Sequence, residues 1–319
     1  MLKVNIEYLI CPVCGGELVT SGDEEIRCAQ SDCGLPFPVI SGVPVLIGGD
    51  GALFSLGDFS AGTKIPVLRN EPPLRKFLKR VAPKISSNFK SKENYARLAA
   101  ELFDLSDRPV VLVLGGGSIG EGISLLIDES RIELIESDIA LSERNSLVCD
   151  AHRVPFRDGS LDGVVIQAVL EHLIEPRRAV SEIYRVLKSG GLVYAETPFI
   201  QQVHSGRFDF QRFTHLGHRW LFRRFEEIES GAVAGPATAL AWSYRSFIAS
   251  FVVERRFRHA LDGFARLSSF WLKYLDRFLL DKPGGIDGAS CFYFLGRKGG
   301  EELSPKELLS LYRGAQDEF

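Results

Sequence analysis

The stretch PVVLVLGGGSIGEGISLLI, residues 109–127, constrains the fold more than any other part of the chain. It runs from an unbroken apolar segment into a cluster of glycines and then into helical spacing. That order reads as a buried strand, a tight turn and a helix. Gly115, Gly117 and Gly120 form a GxGxxG turn, with Gly116 inside it. Without side chains there, the backbone can turn sharply and approach a ligand closely. Nicotinamide enzymes, flavoproteins and methyltransferases all use such turns. The stretch therefore predicts a doubly wound α/β sheet with a ligand at its strand ends, and leaves the ligand open.

The next strand, IELIESD, ends in Glu136 and Asp138. A carboxylate at the tip of a second strand can accept hydrogen bonds from both ribose hydroxyls of an adenosine cofactor. Asp138 is the first candidate and Glu136 the reserve. After it comes CDAHRVPFRDGSLDGVVIQAVLEHLIEPRRAVSEIYRVLKSGGLVYAETPF. It predicts a strand over 161–168, a turn at LEHL, a helix over 176–187, a reversal at KSGG and a strand over 192–197. In this order the motifs resemble class I S-adenosylmethionine-dependent methyltransferases, in the subgroup carrying D-x-x-x-x-PF, LEH and E-x-x-RVLK-x-GG. The matching residues are Asp150, Pro155, Phe156, Leu170, Glu171, His172, Glu182, Arg185, Val186, Leu187, Lys188, Gly190 and Gly191. The resemblance covers about residues 108–200. It departs from the common pattern at Val113, where many relatives have an acidic residue, and in GxGxxG for the commoner GxGxG.

The resemblance implies S-adenosylmethionine as cofactor. Gly115, Gly116, Gly117 and Gly120 would cradle its methionine part, and Asp138 would hold the ribose. Asp150 would accept from the adenine amino group, with a backbone contact from Ala151. Gln167 and Ala168 would line the methyl side. His172 reads as a cap of the LEHL turn, and Gly190 as a left-handed helix end. Substrate should meet the loop after the fifth strand, TPFIQQVHSGRFDFQRFTHLGHRWLFRRF. Methyl transfer needs a nucleophile held in line, and a hydroxyl acceptor is helped by a base. His204 and Asp209 are the candidate bases. Arg207 and Arg212 are candidate clamps for an anionic substrate.

At the front of the chain, Cys11 and Cys14 form CxxC, and Cys28 and Cys33 follow as CxxxxC. Gly15 and Gly16 let the first turn close around a cation. Four thiolates from two turns are the tetrahedral ligand set of structural zinc. With LICPVCGGELV and LPFPVISGVPVLI, residues 5–47 resemble the small zinc-ribbon protein that activates several methyltransferases by binding beside their catalytic domains. That implies a supporting or partner-binding role. A module this small buries little surface, so metal would supply much of its folding energy.

These features predict a zinc ribbon over 1–47 and a linker over 48–90, with local basic excess in KFLKRVAPKISSNFK. A methyltransferase domain follows over 91–299, with a helical insertion at about 237–283, and then a tail over 300–319. In the insertion, basic residues interleave with Phe257, Phe264, Phe270, Trp271, Tyr274 and Phe278. The aromatic face is expected to pack on the domain, with a membrane-surface patch as the other reading. A net charge of −3 gives no chain-wide basic field for nucleic acid. MLKVNIEYLI lacks the pattern of a secretory leader, and no apolar run is long enough to span a bilayer. A cytoplasmic enzyme is expected, its acceptor a small molecule, glycan or lipid-linked compound. The ribbon and the basic stretch favour tRNA or rRNA as the alternative, and a non-catalytic scaffold is a third reading.

Overall fold

In the computed structural model, residues 2–49, 54–59 and 83–316 are described. Most of the expected linker, and residues 76–82 of the basic stretch, lie outside them.

The methyltransferase-like part is a three-layer sandwich about one sheet. Its strands are β5 (Val110–Leu114), β6 (Glu133–Asp138), β7 (Leu147–Cys149), β8 (Leu161–Gln167), β9 (Leu187–Pro198), β10 (Phe225–Ala234) and β11 (Cys291–Lys298). Their spatial order is β7-β6-β5-β8-β9-β11-β10. The first five are parallel, and β11 runs antiparallel between β9 and β10. This is the expected seven-stranded doubly wound sheet.

The unbroken apolar run of β5 now has its cause. Val110, Leu112 and Leu114 enter one core cluster, while Val111 and Val113 enter the other. Both faces of the strand are covered, so no position tolerates a polar residue. Helix α1 (Ser91–Leu105) covers one face with Tyr95, Leu98 and Leu102, at helical spacing. A single turn, α2 (Ser124–Ile127), follows the glycine loop where a longer helix was expected. Helix α3 (Pro176–Val186) covers the other face with Ala179, Val180, Ile183 and Val186.

The N-terminal segment contributes β1 (Leu18–Thr20), β2 (Glu25–Cys28), β3 (Pro36–Ile40) and β4 (Val43–Leu46), paired antiparallel in turn. Ser41 and Gly42, both at positive φ, make the two-residue turn between β3 and β4. This segment is not a separate bead. β4 pairs parallel with β7, Val45 opposite Val148 and Leu46 opposite Cys149, extending the sheet to eleven strands. Leu9 also bridges Phe156, in the VPF loop. Leu9, Cys11, Ile26 and Phe37 share one core cluster with Leu112 and Phe156.

Helix α4 (His215–Leu221) precedes β10, and between β10 and β11 lie α5 (Pro236–Ser250), α6 (Arg255–Ser269), α7 (Asp276–Leu279) and α8 (Pro283–Asp287) of the insertion. The first turn of α5 follows a glycine and has no cap of its own. Buried Asp276 supplies it from α7, accepting from the N–H groups of Gly235, Ala237 and Thr238 at 3.1, 2.9 and 3.0 Å. The insertion's aromatics do not pack as expected. Phe257, Phe264, Trp271, Tyr274 and Phe278 are 50–73% exposed, because small or polar residues such as Ala265 and Ser269 take the inward positions. Among the described residues, no helix is long and apolar enough to cross a membrane.

Candidate active site

A cavity of about 690 Å³ opens at the carboxyl ends of the parallel strands. That is where such sheets bind ligands. One side is built by the glycine loop, β6 and β7: Gly115, Ser118, Gly120, Asp138, Asp150 and Ala151 all line it. Gly115 has φ +84°, and a Cβ there would meet Val169 at 2.3 Å. Gly116 and Gly117 lie in the same loop without lining the cavity. The backbone N–H of Gly117 donates to Asp138 at 3.0 Å, and Ala140 donates to its other oxygen at 3.0 Å. The loop is thus tied to the acidic strand tip. The reserve, Glu136, turns under Gly116 and pairs with Arg144. Asp150 accepts from the His152 ring and N–H at 2.7 and 2.8 Å. Burial opposes its ionisation, but those bonds outweigh burial and hold the carboxyl below its ordinary value.

The floor is a carboxylate the sequence did not single out. Glu196, fully buried on β9, accepts from Asn88, Ser91 and Tyr194 at 2.6 Å and from Gln167 at 2.8 Å. Burial still pushes its pKa up. Gln167 links this network to the glycine loop, because its Nε2 also reaches the Glu121 carbonyl at 3.3 Å.

The opposite wall brings together Glu171, His172 and His204. Their ligand-capable atoms all lie within 4.8 Å of one another. His172 does not cap its turn. Its Nδ1 lies 2.8 Å from the Phe208 carbonyl, and its Nε2 lies 3.7 Å from Glu171. His204 Nε2 lies 3.7 Å from the same Glu171 oxygen, and its Nδ1 is 3.3 Å from Asp209. The Glu171 side chain is fully buried, with neither oxygen hydrogen-bonded among the described residues. Burial pushes it up to about 8.

Three expected site residues are placed behind the wall rather than on it. Asp209 does not line the cavity, and the Arg212 guanidinium holds its carboxyl far below the usual carboxylate range. So clamped, it is a poor base and instead orients His204. Arg212 is used up by Asp209 and by the carbonyls of Gln201, Gln202 and Gln211. Arg207 stacks on Phe208, 4.8 Å from the ring centroid, and is also off the cavity. Neither arginine lines the cavity.

Away from the cavity, the four N-terminal cysteines are unpaired thiols with sulfurs within 4.8 Å of one another. Cys11 and Cys33 are 3.8 Å apart, and Cys14 and Cys28 are 3.4 Å apart. Thiolates at about 2.3 Å from one zinc stand about 3.8 Å apart in a tetrahedron. The set therefore fits zinc. A Cβ on Gly16 would sit 2.3 Å from Gln30 Cγ and 3.2 and 3.3 Å from the sulfurs of Cys14 and Cys28, so any side chain there would crowd the cysteine cluster.

Residues 124–195 match the family described as the methyltransferase domain. Demethylmenaquinone methyltransferase of Staphylococcus epidermidis is 34% identical over 112 residues, which is 33% of this chain and 46% of that protein. That of Clavibacter sepedonicus is 38% identical over 82 residues, 24% of this chain and 34% of the relative. The chain thus spans less than half the length of these relatives. Among solved structures, the complex of the Haloferax volcanii Trm112 methyltransferase activator with a protein described as a methyltransferase is 18% identical, with a TM-score of 0.42. It covers 71% of this chain and 93% of that one. The matched segment holds β6 to β9, the strands that carry Asp138, Asp150 and Gln167 to the cavity. Within residues 124–195, the chain is similar to a methyltransferase domain.

Proposed function

We propose that the protein transfers a methyl group from S-adenosylmethionine to a small, amphiphilic acceptor, and that its N-terminal ribbon holds structural zinc. The observation that carries this is the two-sided cavity. Adenosine-type contacts line one wall, and a buried carboxylate with two imidazoles lines the other. In this reading Gly115, Gly116, Gly117 and Gly120 form the cofactor loop. Asp138 binds the ribose, Asp150 with Ala151 the adenine edge, and Gln167 the methyl side. Bound there, S-adenosylmethionine supplies a sulfonium methyl, whose C–S bond breaks as the bond to the acceptor atom forms. The chain's part is to align that acceptor against the wall formed by Glu171, His172 and His204. Among the described residues, the remaining imidazole that lines the cavity is His152, which is committed to Asp150.

The acceptor class rests on two supports. Trp242 and Thr238 of α5 line the cavity, and the same helix carries the exposed Phe247. The curated relatives are named for demethylmenaquinone, an acceptor that is itself a small molecule. Free cysteines in zinc geometry fit a reducing, cytoplasmic setting.

Two measurements test the reading. Calorimetry of the zinc-loaded protein should show S-adenosylhomocysteine binding that Asp138→Ala weakens at least about tenfold, the loss of about one charge-assisted hydrogen bond. Protein supplied with S-adenosylmethionine carrying a radiolabelled methyl, together with total cell extract, should place label in the solvent-extractable small-molecule fraction. Label confined to RNA would replace the acceptor class. Failure of well-folded protein to bind the cofactor would sink the methyltransferase reading.

A further inference from the structure

We infer that Glu171, His172 and His204 form a binding site for one divalent transition-metal cation, separate from the cysteine site. The first argument is convergence. Both imidazole Nε2 atoms approach one oxygen of Glu171 at 3.7 Å. Nitrogen and oxygen ligands at about 2.1 Å from a tetrahedrally bound cation stand about 3.4 Å apart. Both separations from Glu171 are within a few tenths of an ångström of that value, and all three ligand atoms lie within 4.8 Å of one another.

The second argument is tautomer control. A metal-binding histidine holds its other ring nitrogen on a carbonyl or carboxylate, which leaves the lone pair for the metal. The His172 ring does so here, and the His204 ring has a carboxylate within reach. His172 Nδ1 donates to the Phe208 carbonyl, and His204 Nδ1 faces Asp209, itself fixed by Arg212. The only hydrogen bond to either Nε2 among the described residues is a long one, from the Ser205 hydroxyl to His172 at 3.3 Å. A hydroxyl can rotate away or join the metal.

The third argument is the orphaned carboxylate. Glu171 is fully buried and aimed into the cavity wall with neither oxygen hydrogen-bonded among the described residues. A buried carboxylate without partners costs several kcal/mol unless it is neutralised or bound by a cation. A cation between the three groups would remove that cost. Two imidazoles and one carboxylate suit first-row cations better than magnesium or calcium, which prefer all-oxygen shells. Three protein ligands would leave coordination positions facing the cavity. An acceptor oxygen could occupy one. That last use rests on the methyl-transfer reading, whereas cation binding does not.

The test is manganese(II) titration of zinc-loaded protein without S-adenosylmethionine, followed by electron paramagnetic resonance. Filling the cysteine site with zinc first leaves the weaker-binding, oxygen- and nitrogen-preferring manganese ion for the second site. The expected result is one manganese per chain with spin-echo couplings to imidazole nitrogen. Glu171→Gln and His204→Asn should each weaken binding more than tenfold, and Asp209→Asn by about 10–100-fold, as for an orienting partner. Folding of each variant is read from S-adenosylhomocysteine binding or, if that fails in the parent protein too, from its melting transition. If Glu171→Gln does not fold, His204→Asn decides. Absence of a stoichiometric manganese ion, absence of nitrogen couplings, or affinity unchanged in folded variants would each overturn the site. Because no cofactor enters the titration, its failure is distinct from failure of the methyltransferase reading.

Discussion

At the residue scale, the cavity depends on contacts too close for a substitution to spare. A Cβ on Gly120 would lie 1.7 Å from Gln167 Oε1. Gly120→Ala must therefore displace the side chain that links Glu196 to the glycine loop. Calorimetry should show S-adenosylhomocysteine affinity falling at least about tenfold, with the fold retained, a loss of about 1.4 kcal/mol. Two histidines of α4 set an acid limit. Burial lowers His218 to about 3, and burial with neighbouring Arg313 lowers His215 to about 4. Both fall below the unfolded value of about 6.5. The unfolded chain then binds more protons than the folded one below that value, so their contribution is present above about pH 6.5 and lost as pH falls toward 4 and then 3. Each would cost about 1.4 kcal/mol per pH unit across its window. Melting temperatures of His218→Gln measured from about pH 7 to 4 should fall less steeply than those of the parent. An equal slope would show that the fold does not lower the pKa of His218. Asp138, Asp150 and the glycines were legible in the sequence because each sits at a strand end whose neighbours are local. His204 was legible as a candidate base and Glu171 and His172 as part of the LEH turn, but their convergence was not, since they meet only when the loops after β8 and β9 fold against each other.

At the scale of elements, the strand that would end the parallel sheet is not an edge. β7 has three residues, and β4 pairs with it through Val45 and Leu46. An uncovered edge invites pairing with other chains. The ribbon was legible from cysteine spacing, but its entry into the sheet was not, because parallel pairing across about a hundred residues leaves no local pattern. Removing the metal should therefore reach beyond the ribbon. Losing about 4 kcal/mol, a fraction of what structural zinc supplies, lowers the melting temperature by about 8–16 °C for a domain of this size. A strong chelator, or Cys14→Ser, should produce one lowered cooperative transition with increased aggregation. A separate early transition with the main one unmoved would show that the ribbon does not support the sheet. The cap on α5 is testable in the same way. Asp276→Ala leaves three buried N–H groups without their acceptor. Urea unfolding should show about 2–4 kcal/mol of lost stability.

For the whole molecule, one continuous core joins residues from Val4 to Phe294. The fold class was readable because a doubly wound sheet repeats one local grammar of strand, turn and helix. The insertion's outward-facing aromatics were not readable, since helical spacing gives an apolar stripe without saying which side is inward. The join between β4 and β7 also orders events during synthesis. All four cysteines lie within residues 11–33, so the ribbon can gather its cation and fold while the rest of the chain is still being made. Val148 follows Val45 by about a hundred residues, or about 5–20 s at ribosomal rates. Through that interval the ribbon waits with the outer edge of β4 unpaired. It then offers β7 a finished template, so the last parallel strand is recruited to an existing edge instead of creating one.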